Sequence, residues 1–369
     1  MLPLICDLPA ARRVSGHGSH SSTYLCSECY ITLKDINNLD RDKWPPRNLC
    51  DHHKFADMWK NAATKAEQDR IFSTHGIRWS ELLRLPYWDP TKHVIIDAMH
   101  CFYLRLFFRH VREIWGMDVT VADGDGSKPP VPTSLEKDVM ENADHILRNG
   151  TQPGPEAAAK PFFNNMYKTA SDSKVKRLRK AVLVAFCAVL QPEEAPVNKR
   201  SATLKKVLGK QTLAAIRDDM TKLGLPSWAT RAPRHPGEVK WGNFKADEWR
   251  SFCTVNLPIT LTRLWGSKPR DDRHHQMLLN YMELVAAVKI ANSRTITEDK
   301  IALYDKHMLA YLKGIRELYP FVDLSPYQHL SMHFSAQLRR FGPTHSWRCY
   351  AFERYNGIIQ KIATNDTLG

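Results

Sequence analysis

The sequence has no long hydrophobic run. Its longest clean apolar stretch, Ala181–Leu190, is about half of what a bilayer span requires. A transmembrane helix is therefore excluded as an organising element. No basic leader precedes the short apolar run at the N-terminus, and Asp7 interrupts that run early, so no secretory signal peptide is expected. Eight cysteines in such a chain are expected as reduced thiols or metal ligands, not as a disulfide framework. No internal repeat is present, which excludes a solenoid or a propeller. Acidic residues are in short supply: 39 Asp and Glu against 53 Lys and Arg leave a net charge of +14. Such an excess favours a polyanionic partner, nucleic acid first and an anionic membrane surface second. What remains is ordinary for a globular protein, with 43% hydrophobic and 25% charged residues. At 369 residues there is room for one large core, or for a small core carrying a big insertion.

Two acids at opposite ends of the chain organise this reading. Leu2–Cys6 is a short apolar run bounded by Pro9, the pattern of a buried strand, and it delivers Asp7 to the strand's end. Asp7 is either a helix N-cap, a partner for Arg12 and Arg13, or half of an acidic site. Near the other end the pattern predicts a helix from Trp347 with Phe352, Tyr355, Ile359 and Ile362 on its buried side. Glu353 lies beside that stripe, so it needs a cation: an arginine such as Arg354, or a divalent metal shared with Asp7. The fold expected is a small α/β core whose ends fold back on each other, with long insertions between them.

Residues 16–75 read as a loop-rich module with a supporting helix over 54–75. Cys26-x2-Cys29 is a tight knuckle, and Cys50-Asp51-His52-His53 follows twenty residues later. Two ligands from each cluster match what tetrahedral Zn²⁺ requires. Cys26, Cys29 and Cys50 are assigned, with either His52 or His53 as the fourth, taken as His53; His17 and His20 stand in reserve. A segment with so few core residues would owe most of its order to the metal.

His93–Ile96 reads as a short β-branched strand ending in Asp97, and an amphipathic helix runs on from Met99. Asp97 is placed to cap that helix and to accept a bond from His100. Residues 118–133 are a loop. Beyond it the pattern is helical to about residue 340. Lys176, Arg177, Arg179, Lys180, Lys199, Arg200, Lys205, Lys206 and Lys210 form the densest basic patch, suited to a phosphate backbone. Trp241, Phe244, Trp249 and Phe252 suit a core better than a base-stacking platform. Residues 270–292 and 296–318 predict an antiparallel helix pair. His329 and His333 share a helix face, but no third ligand has suitable spacing, so they are expected as satisfied interior histidines.

Taken in order, Ile5–Ala10, Cys26-x2-Cys29, Leu82–His100, Lys245–Arg250, His329–Phe334, Phe341–Pro343 and Phe352–Gly357 resemble the transposases of the CACTA (En/Spm-like) superfamily. The resemblance implies an α+β, predominantly α-helical protein. Residues 1–15, 76–117 and 344–369 would form a partial RNase H-like core, with 16–75 as the zinc-binding-like module and 118–343 as a helical insertion domain. It implies Asp7 and Glu353 as catalytic acids holding Mg²⁺ or Mn²⁺, and Asp97 to His100 as the family's D-x2-H signature. It further implies DNA as the partner, a nuclear location, a homo-oligomer as a possible assembly, and phosphodiester transfer as the reaction. The family's first catalytic aspartate is expected upstream of Met1, so feeble or absent cleavage is expected from these residues alone. The alternatives are a non-enzymatic DNA-binding or scaffold protein derived from a transposase, and an unrelated basic helical interaction protein.

Overall fold

The computed structural model describes residues 3–19, 22–117, 207–227, 229–237, 244–320 and 322–359. They belong to one compact unit, Met1–Asp118 together with Lys206–Gly369. The helices after residue 206, expected in an insertion, are part of that same unit. The basic patch from Lys176 to Lys206, the 118–133 loop and Trp241 lie outside the described residues.

The described chain is predominantly helical. β-Pairing among the described residues is confined to isolated bridges. The bridge that matters joins Leu4 to Val94 in parallel, with Leu4 N donating to His93 O at 2.8 Å and Ile95 N donating to Leu4 O at 3.2 Å. The two strands expected over Leu2–Cys6 and His93–Ile96 thus shrink to one bridged pair. Pro3 has no N–H to extend the ladder, and Asp7 already starts a helix.

Helix α1 (Leu8–Ser15) is capped by Asp7, whose Oδ1 accepts from Ala10 N at 2.7 Å, and Pro9 sits in its first turn. It ends at Gly16 in the left-handed region (φ 81°), where a Cβ would collide with the Arg78 carbonyl oxygen. The helix expected over 54–75 is two: α2 (Leu49–Lys60) and α3 (Lys65–His75). Thr64 breaks the run by capping α3 through Glu67 N. Ala11, Ala56, Ile77, Leu83, Trp88 and Val94 form the core beneath this N-terminal part.

The body is built on α4 (Met99–Phe107) and α5 (Arg109–Ile114), both wound wide as π-helix. Then come α6 (Lys210–Lys222), α7 (Ala246–Ser251), α8 (Leu257–Trp265), α9 (Arg273–Ala291) and α10 (Glu298–Leu318). Phe244, Trp249 and Phe252 are buried against one another, so they are core. Helices α9 and α10 are the expected antiparallel pair: Asn280 Nδ2 donates to Tyr311 O at 2.9 Å, and His307 Nδ1 lies 2.7 Å from Glu283 Oε2. Buried aromatics lock the pair to α5, with Trp115 Nε1 donating to Tyr319 OH at 2.7 Å and His110 Nδ1 3.2 Å from Tyr311 OH. Each such ring removed from water stabilises the fold by about 2 kcal/mol.

Three short helices close the chain: α11 (Pro326–Ser331), α12 (Phe334–Phe341) and α13 (Tyr350–Ile359). Ser325 and Gln328 cap α11 reciprocally. Gly342, at φ 73°, ends α12 as expected. Helix α13 corrects the sequence reading: Phe352, Tyr355 and Ile359 are exposed, not buried. Among the described residues the helix is anchored by its first turn, through Tyr350 OH to Asp247 at 3.0 Å and through buried Cys349, and no described element covers the apolar stripe. Ile362 lies outside the described residues.

Candidate metal centre and acid centre

Among the described residues two groups of metal-competent side chains form, and both join the N-terminal third of the chain to its C-terminal part. The first is Cys26, Cys29, His329 and His333, whose ligand atoms all lie within 4.8 Å of one another. Cys29 Sγ is 3.3 Å from His329 Nε2 and 3.5 Å from His333 Nε2, and the two Nε2 atoms are 3.2 Å apart. Zn–S bonds of about 2.3 Å and Zn–N bonds of about 2.0 Å give tetrahedron edges of roughly 3.5 Å (S to N) and roughly 3.3 Å (N to N). The three distances among Cys29, His329 and His333 match those edges, and Cys26 Sγ lies within 4.8 Å of the same atoms, so the group could hold a zinc ion.

The surroundings suit a closed structural site. Trp44 lies over the His329 ring with centroids 4.4 Å apart and 5.2 Å from that of His333, which shields the site from water. Arg47 Nε donates to Cys26 O at 2.9 Å, and Arg12 donates to Leu25 O, fixing the knuckle backbone. Glu28, inside the knuckle, stands 3.9 Å from His333 Nδ1 in the position of an outer-shell carboxylate. Burial alone would raise Cys26, but the bond from Cys29 and the nearby His333 and His329 hold it well below the ordinary thiol range. Cys29 is pushed up as the donor of that bond and by burial. A divalent cation held here would let both thiolates form.

The assigned pair Cys50 and His53 is not part of this centre. Cys50 is exposed on α2, and His53 is half-buried on the same helix outside the cluster. The inward residue of α2 is His52, whose ring meets that of His17 at 4.9 Å. Burial, then the charges of Arg47 and His53, push His52 down to about 3 and keep it neutral. His17 is held to Ser15 Oγ at 2.8 Å, and His20 lies outside the described residues. His329 and His333 replace the sequence-assigned ligands. The single helix expected to carry both is broken: His329 is on α11 and His333 is in the turn that leads into α12, and their partners lie some 300 positions away in sequence.

The second group lies at the end of the Leu4–Val94 bridge. Asp97 is buried and fully engaged. Its Oδ2 accepts from His100 N at 2.8 Å and meets His100 Nδ1 at 2.8 Å, while Oδ1 accepts from Cys349 N at 2.7 Å. The expected cap and the expected Asp97–His100 bond are thus both present. His100 Nε2 then reaches Glu353 Oε1 at 3.1 Å. Burial would raise Asp97, but these bonds and the His100 charge lower it below the usual carboxylate range. For His100 burial lowers, and the bond to Asp97 with the charges of Asp97, Glu353 and Asp7 outweighs it, so His100 is raised. Asp7, Asp97, His100 and Glu353 therefore share one electrostatic neighbourhood, although they come from three distant stretches. Cys349 joins Asp97 and His100 within ligand range and was not singled out by sequence.

Among the nine assigned basic residues only Lys210, at the start of α6, is described. No described helix is long and apolar enough to cross a membrane. No protein-family model matches the chain, and no curated protein matches it.

Proposed function

We propose that this chain is a DNA-binding protein of the transposase type. A zinc ion at Cys26, Cys29, His329 and His333 holds its two ends together, and a remnant RNase H-like core presents Asp7, Asp97, His100 and Glu353. The observation that supports this reading is the Asp97–His100–Glu353 chain at the end of the Leu4–Val94 bridge, with Asp7 capping α1 three residues beyond Leu4. They are the positions that the resemblance to CACTA transposases singles out. The net charge of +14 supports a phosphate-backbone partner. A nuclear location belongs to the same proposal.

The resemblance also implies Mg²⁺ or Mn²⁺ at the acids, and the residues present do not fit that ion. Hard cations need several free carboxylate or carbonyl oxygens. Here both Asp97 oxygens are taken by hydrogen bonds, Asp7 caps α1, Glu353 Oε1 is paired with His100 Nε2, and the donors within ligand range of Asp97 are an imidazole and a thiol. No cleavage step is assigned to this centre. The protein acts by binding.

Duplex-DNA binding measured across a salt series tests the proposal. The logarithm of affinity should fall linearly with the logarithm of salt, by about 0.9 for each phosphate neutralised. Salt-independent association, or preference for an acidic protein over DNA, would overturn it. Metal-dependent nicking at ordinary enzyme rates would overturn the reading of the acids as closed.

A further inference from the structure

Gln337 on α12 is completely buried, and its carboxamide makes three hydrogen bonds to two segments far apart in sequence. Its Nε2 donates to Glu28 Oε1 at 3.0 Å and to Val94 O at 3.1 Å. Its Oε1 accepts from Ile96 N at 2.8 Å. Both amide hydrogens are thereby used, and only an amide can donate twice and accept once from this position.

The two segments are the two centres. Glu28 lies between the metal ligands Cys26 and Cys29, and its other oxygen accepts from Arg340 Nη2 at 3.0 Å. Val94 and Ile96 lead straight into Asp97, and Val94 is also the residue bridged to Leu4, three positions before Asp7. One side chain therefore spans the knuckle of the metal centre and the stretch that delivers the acid centre.

We infer that Gln337 is a positioning residue that transmits occupancy of the Cys26/Cys29/His329/His333 centre to the Asp97–His100 segment. This rests on the reading that the centre holds zinc, and it is independent of whether the protein binds DNA. With metal bound, the knuckle is rigid and Glu28 is fixed against Gln337 and Arg340. When the metal leaves, the knuckle loses its anchor and Glu28 withdraws. The buried amide then has a donor without a partner, which is costly enough to make it turn away. Ile96 N–H loses its acceptor in the same movement. Sequence gave no signal for this role, because a lone Gln in an amphipathic helix reads as a polar-face residue.

Amide hydrogen exchange over residues 93–98 tests the link in the full chain, zinc-loaded and zinc-stripped, with Co²⁺ absorption reporting on the metal centre. In the native protein, stripping should speed exchange at Ile95 and Ile96 roughly tenfold. In Gln337→Leu the tetrahedral Co²⁺ spectrum should persist. The same amides should then exchange at the stripped rate whether zinc is present or not. Gln337→Met removes both donations and the acceptor with a side chain of similar length, and it serves if the Leu variant fails to fold. Its Ile96 exchange should be indifferent to zinc. Stripping that accelerates exchange equally in native and variant chains would overturn the link, as would native exchange that ignores zinc. A native chain that takes up no metal would overturn the inference together with its premise, whereas loss of DNA binding alone would leave it standing.

Discussion

The two centres join the same two ends of the chain in opposite ways. At the metal centre two thiols and two imidazoles face one another with no carboxylate closer than Glu28, 3.9 Å from His333 Nδ1. At the acid centre every polar atom of Asp97 and His100 already has a protein partner. The first gathers sulfur and nitrogen donors of the kind zinc prefers, while the second spends its carboxylate oxygens on backbone and imidazole N–H groups. Three converging ligand atoms, as at Asp97, His100 and Cys349, do not by themselves make a metal site. Soft sulfur and nitrogen donors converging on one point suit a zinc ion, and a hydrogen-bonded Asp–His–Glu chain does not.

The largest effect should come from stripping the metal. Structural zinc stabilises small metal-dependent domains by on the order of 10 kcal/mol, and part of that should be lost here. Chelation should lower Tm by about 10 °C or more, and the N-terminal part, whose own core is small, should melt first. A chain whose melting ignored chelator would put the two centres on the same footing.

Next in size is Asp97→Ala. It leaves the buried His100 and Cys349 amides and the His100 ring without their acceptor. A loss of about 3 kcal/mol is expected in denaturant unfolding, with metal content unchanged. A change below about 0.5 kcal/mol would show that the acid centre is not held together by these bonds.

The same pair sets a pH dependence. Asp97 is depressed, so its contribution is present above the ordinary carboxylate value and lost as pH falls through the folded one. His100 is raised, so its contribution is present below the ordinary imidazole value and lost as pH rises through the folded one. Their joint contribution is fullest between about pH 4 and about pH 6.5. Stability of native protein minus that of the Asp97→Ala variant should trace that window. A flat difference would contradict the pairing.

Smallest are changes at the rims. Glu353, half-exposed beside His100, should cost under about 1 kcal/mol as Glu353→Gln. It should also bring the His100 titration, followed by NMR, down toward its ordinary value. Cys50→Ser with His53→Ala should alter neither metal stoichiometry nor stability beyond about 0.5 kcal/mol.

How much of this was legible in the sequence depends on range. Asp97 and His100 are three residues apart on a helix start, so local geometry alone fixed their bond. Cys26 and Cys29 were legible for the same reason. The other two ligands were not, because spacing rules search nearby, and Cys50 and His53 were nearer than His329 and His333. That His pair was visible, but which chain segment would face it is decided by packing of α11 against the N-terminal module. The exposed stripe of Phe352, Tyr355 and Ile359 has the same cause: periodicity predicts an apolar face, not the presence of something to cover it. Pro3 was visible too, and its missing N–H was the sign that the first strand could not be long.

The most direct test of the whole account is zinc K-edge X-ray absorption on the loaded protein, which counts the ligands by element. One zinc per chain is expected, with two sulfurs at about 2.3 Å and two imidazole nitrogens at about 2.0 Å. A shell of three sulfurs, which would bring Cys50 back, or a chain that retains no zinc would contradict it.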